Sequence, residues 1–132
     1  MDVIQHILSY TYCPQNKNLL VDLANYTETK EQLLDLYYDF WVTRMQEFGE
    51  DKNWLINDIF GFANNEKPTM YGYVDNFYNI FKRNIYLQTN EKIDKYIYNL
   101  EKKTSSIQIN IFLGLFTVNE RNVFLQNSYN DL

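Results

Sequence analysis

A chain of 132 residues with 45% hydrophobic and 22% charged side chains has the size and composition of one folded domain, which excludes a disordered segment and removes the need for metal or disulfide staples. A formal net charge of −5 argues against the basic surface that phosphate contacts require, so no nucleic-acid partner is expected. No apolar run nears the roughly 18 residues of a membrane span, and Met1-Asp2-Val3-Ile4-Gln5-His6 lacks the cationic start of a secretory signal, so a soluble, cytoplasmic chain is expected.

Asp2 is placed to cap a first helix whose Val3, Ile4, Ile7, Leu8 and Thr11 form one apolar stripe, ended by Cys13-Pro14. A short second helix from Leu19 to about Tyr26 stops in Thr27-Glu28-Thr29-Lys30. Thr29-x-x-Gln32 has the spacing of a capping box and opens a third helix over about 29–48. Stepping about 100° per residue places Leu33, Leu36, Tyr37, Phe40, Trp41, Met45 and Phe48 on its core face and Glu31, Asp35 and Asp39 opposite. Gly49 stands where a helix-closing glycine belongs. Arg44 falls within that apolar face, where it needs an internal carboxylate, an aromatic ring or a route to solvent.

Asp51 is placed to cap a fourth helix, 52–63, and Asn64-Asn65-Glu66-Lys67-Pro68 reads as a loop. A fifth helix is expected over about 70–87, with Val74, Phe77, Tyr78, Phe81 and Ile85 on one face. Asn90 is expected to cap a sixth over 91–103, with Ile93, Tyr96, Ile97 and Leu100 inward. Ser106 to Ile111 alternates like a strand, yet Ile109, Phe112, Leu113 and Phe116 fit a helical stripe. Helix is preferred because no alternating partner strand occurs elsewhere, and 107–118 would then be the central apolar helix. Thr117-x-x-Glu120 forms a second capping-box pattern before a short last helix through Gln126. One all-α domain over 1–132, a bundle of about six to eight short helices, is the expected architecture.

His6 is the only histidine and Cys13 the only cysteine, so catalytic triads, multi-histidine metal sites and disulfides within the chain are excluded. No phosphate-binding or dinucleotide glycine loop is present. No enzymatic activity, catalytic residue, metal or cofactor is therefore expected. A carboxylate site is the enzyme alternative, since Asp35 and Asp39 lie one turn apart and could share a proton or a cation.

Charge is uneven along the chain. Residues 1–66 hold eleven acids and four bases, whereas 67–132 hold six acids and eight bases. Seven acids fall between Glu28 and Asp51 with few lysines to pair with, an arrangement whose self-repulsion a cationic partner would offset. Glu31, Asp35, Asp39, Glu47, Glu50, Asp51 and Asp58 are the candidate partner-binding residues. The competing reading is that these acids keep a chain with 12 Tyr, 9 Phe and 2 Trp in solution.

Two resemblances bear on function. In size, acidity and lack of a catalytic set the chain is similar to immunity proteins that neutralise bacterial nuclease toxins, which implies an inhibitor that covers the active site of a basic protein partner, such as a secreted nuclease toxin. Asn53-Trp54 after an acidic run resembles the start of the Asn-Trp-Gly-Arg motif of Bcl-2 proteins, including viral members, with Leu55-Ile56 in place of Gly-Arg. That likeness implies an apolar groove for an amphipathic partner helix.

Overall fold

The computed structural model describes residues 17–132; the helix expected over 3–11, the Cys13-Pro14 turn and His6 lie outside that range. Six α-helices follow in order: α1 Lys17–Tyr37, α2 Asp51–Ala63, α3 Asp75–Phe81, α4 Asn90–Leu100, α5 Ser105–Leu115 and α6 Val118–Asp131. A π-helical segment, Tyr38–Arg44, continues α1, and a 3-10 turn, Thr69–Tyr71, precedes α3. The described residues contain no strand, so the chain is all-α, and the ambiguous stretch after Ser105 is helix.

Helix α1 merges the two helices expected over 19–26 and 29–48. Thr29, Leu33 and Tyr37 lie one and two turns apart and are all at most 2% exposed. Continuing the helix buries that stripe, whereas a cap at Thr29 would turn it outward, so the Thr29-x-x-Gln32 box does not form. The expected third helix also ends early. The Met45 amide donates to the Phe40 carbonyl five residues back, the Glu47 amide donates to Trp41, and Gln46 takes a φ of 59°. Met45 and Phe48 are therefore exposed rather than core, and Gly49, at a φ of 81°, serves the following turn instead of closing a helix.

Other boundaries moved for local reasons. Asp51 is the first residue of α2, preceded by Glu50 with no side-chain cap. Buried Asn64 organises the next loop: its amide donates to the carbonyls of Lys67 and Gly72 and its oxygen accepts from the Val74 amide. This loop displaces the start of α3 to Asp75, and turns after Phe81 leave Ile85 exposed, so the helix expected over 70–87 keeps only its middle. Thr89, not Asn90, caps α4 by accepting from the Lys92 amide. The Thr117/Glu120 box forms in full, and α6 runs on to Asp131.

Helix α1 packs on α2, α5 and α6, α2 also packs on α3 and α5, and α3 packs on α4. Their shared core is strongly aromatic. Phe112 of α5 meets Phe81 edge-on at 5.1 Å and Phe60 at 4.7 Å, while Tyr73 stacks on Phe77 at 4.1 Å. Helix α5 is not buried all round: Ile109, Phe112 and Leu113 are buried, but Ile107 and Gly114 face out.

Arg121 of α6, 1% exposed, ties the ends of this core together. Its Nε donates to the Leu113 carbonyl at 2.7 Å, and its Nη1 reaches the Asp22 carbonyl, the Asn25 oxygen and the Asp22 carboxylate at 2.8 Å. A buried guanidinium is tolerated here because every partner is an acceptor.

Candidate functional site

The π-helical segment, the turn after it and the first turn of α2 build one surface. Trp41 and Trp54, the chain's two tryptophans, stack with ring centres 4.4 Å apart and planes 6° from parallel. Phe40 meets Trp41 edge-on at 5.0 Å. Trp41 lies inward in this pair, whereas Trp54 stays 38% exposed. Met45 and Phe48, in the connecting turn, are also exposed.

Carboxylates lie along this surface. Glu47 accepts from the Trp54 indole N–H at 3.1 Å, Glu50 accepts from the Asn53 amide at 3.1 Å, and the Glu50 carbonyl accepts from the Trp54 backbone N–H. Asp39 is engaged by Arg44, whose Nη2 and Nε lie 2.8 and 3.1 Å from one carboxylate oxygen. Arg44 is thus exposed and paired, not set in the apolar face where an unbroken α-helix would place it. The widened turn brings residues five apart into register, so Asp39 and Arg44 meet.

The other candidate acids sit elsewhere. Glu31 and Asp35 are exposed on α1, one turn apart, and Asp51 is half-buried at the start of α2. Asp58 turns inward and accepts from the Tyr37 hydroxyl at 2.6 Å. Burial pushes the Asp58 carboxyl above its ordinary value, the Tyr37 hydrogen bond opposes that rise, and the nearby Asp131 charge adds to it. Asp58, Glu66 and Asp131 line a separate cleft of about 260 Å³ floored by Phe62 and Phe124.

Among the described residues, the ion pairs are Arg44 with Asp39, Arg83 with Glu120 and Arg121 with Asp22. Glu31, Asp35, Glu47, Glu50, Asp51 and Asp58 therefore keep their charge free of any described cation. Glu47 and Glu50 lie beside Trp54, whereas Asp51 heads α2, Glu31 and Asp35 project from the preceding helix and Asp58 belongs to the Tyr37 contact. Chemically the arrangement can receive a cation or a basic surface: negative charge sits at the rim and polarisable aromatic area at the centre.

Sequence reasoning placed Trp41 in the core and read Trp54 only as part of a motif, so it missed their stacking. The signal is a pairing of residues 13 apart across a turn whose π geometry leaves no mark in hydrophobic periodicity. Trp54 follows Asn53, whose amide is held by Glu50 and whose oxygen accepts from the Ser105 hydroxyl. Compared with known proteins, the chain matches no family model, no curated protein and no solved structure.

Proposed function

We propose that this chain is a non-catalytic, acidic protein-binding domain that acts in the cytoplasm as a stoichiometric inhibitor, of the toxin-immunity kind, by covering a basic active-site surface such as that of a nuclease. The observation that supports this most is the set of carboxylates paired with no described cation, on and beside an exposed aromatic surface at the junction of α1 and α2. Unpaired surface charge of one sign accelerates encounter with an opposite charge, and exposed tryptophan area gives the contact its affinity. The same negative field disfavours nucleic acid as the direct partner.

The test is capture of a partner by the immobilised full chain, followed by affinity measurement at low and high salt. Affinity is expected to fall by about an order of magnitude or more as salt rises, and again in the double variant Glu31→Lys with Asp35→Lys. Those two positions are exposed, so folding should survive the change. Affinity indifferent to both manipulations would dispose of the reading.

A further inference from the structure

We infer that the outward face of Trp54 is the docking point for an arginine side chain of the basic partner, with Glu47 and Glu50 receiving its guanidinium N–H groups. The inference rests on the acidic-surface reading above and narrows it to one contact.

Four observations lead there. First, Trp41 covers one face of Trp54 in a near-parallel stack at 4.4 Å, so the exposure that remains belongs to the edges and the opposite face. Second, that indole donates its N–H to Glu47 at 3.1 Å. A carboxylate accepting from the indole nitrogen pushes electron density into the ring and strengthens its attraction for a cation over the face. Third, no described cation of the chain uses either indole. The cation–π contacts among the described residues go to Tyr26, Phe40 and Tyr98, and Arg44, the basic residue nearest in sequence to the turn, is held by Asp39 over Phe40. Fourth, the aromatic surface is built on a π-helical segment, a rare geometry that recurs at functional sites.

Charge complementarity selects the occupant. An apolar ligand would satisfy the rings but leave Glu47 and Glu50 desolvated without a counter-charge, at a cost. An ammonium would answer the charge but is a compact, strongly hydrated point. A guanidinium is planar and weakly hydrated, so it can lie flat on an indole while its N–H donors reach carboxylates at the ring's edge. Arginine-bearing segments are therefore favoured over lysine-bearing ones.

The chain's two tryptophans give two indole N–H signals in a 15N correlation spectrum, and a Trp54→Phe variant assigns them. The uniformly labelled full chain is titrated with hexa-arginine, hexa-lysine and, as the uncharged shape control, hexa-citrulline. Hexa-arginine is expected to move the Trp54 signal saturably, hexa-lysine to bind several-fold more weakly, and hexa-citrulline to leave it in place. Trp54→Leu should weaken hexa-arginine about tenfold and Glu47→Gln about threefold, whereas Trp54→Phe, which keeps a stacking ring, should weaken it less than Trp54→Leu. Glu31→Lys with Asp35→Lys should weaken binding while the Trp54 signal still moves at saturation. Binding of hexa-arginine with an unmoved Trp54 signal would overturn this inference and leave the acidic-surface reading standing. Failure of both cationic peptides to bind would overturn the two together. A Trp54 signal that moves on dilution of the free chain would give the face to a second copy, and cross-relaxation from Trp54 to residues 1–16 would give it to the chain's own first segment; either result overturns the inference.

Discussion

Tyrosine hydroxyls in this chain hold carboxylates. Tyr37 donates to Asp58 at 2.6 Å, Tyr78 to Asp94 at 2.6 Å and Tyr73 to Glu101 at 3.4 Å. The Asp58 pair shows what such a contact costs. Burial and the Asp131 charge raise the Asp58 carboxyl above 3.8, so the folded chain binds that proton more tightly than the unfolded chain. At neutral pH the ionised carboxylate therefore lowers stability; as pH falls through the raised value the penalty is relieved, and below 3.8 it is gone. Asp58→Asn keeps an oxygen to accept from Tyr37 and removes the charge. Its urea midpoint should exceed that of the parent at neutral pH, and the two should converge in acid below 3.8. A variant less stable than the parent at neutral pH would show that the ionised form is the one the fold favours.

At the level of elements, local chemistry was legible at the Thr117 cap but not at Thr89 or Thr104, which cap α4 and α5 within one turn without having been singled out. Thr117 accepts from the Glu120 amide at 3.1 Å and Glu120 accepts from the Thr117 amide at 2.8 Å, as their spacing implied. Burial works against the Glu120 charge, but Arg83 and the Thr117 amide outweigh it and hold the carboxyl below its ordinary value. Thr117→Ala is expected to cost about 1 kcal/mol, read as a shift in the urea midpoint; no change would mean that Arg83 alone holds Glu120 in place. Thr29 carries a similar signature and does not cap, because the tertiary requirement to bury Thr29, Leu33 and Tyr37 on one stripe outranks it. The same override explains why two expected helices became one. Of the candidate site, the carboxylates and their exposure at Glu31, Asp35, Glu47 and Glu50 were readable, whereas the aromatic centre was not, because a π segment moves residues out of the 3.6-residue register on which the reading relied.

Across the whole molecule, one side chain does what several apolar contacts do elsewhere. Arg121 joins α6 to the Leu113 carbonyl of α5 and to Asp22 and Asn25 of α1, partners up to 99 residues away in sequence. It shares a stripe with Phe124 and Ser128, both buried, a spacing from which the sequence reading drew nothing about Arg121. Its carboxylate partner lies too far along the chain for local spacing to name. Arg121→Leu should cost about 3 kcal/mol in urea unfolding, since it strands several buried acceptors at once, whereas Asp22→Asn should cost less than about 1 kcal/mol because Asp22 is 42% exposed. Equal losses in the two variants would mean that the ion pair, not the carbonyl contacts, is what matters.

The widened turn at Tyr38–Arg44 also bears on how this chain tolerates change in length. A π segment holds more residues per turn than an α-helix, and losing one of them lets the ladder relax to ordinary α spacing. Insertions and deletions are thus absorbed there with the least disturbance to α1 upstream, and what shifts is Trp41, inside the segment, relative to Trp54. Drift in chain length at this one place would reshape the tryptophan surface while leaving α1 intact.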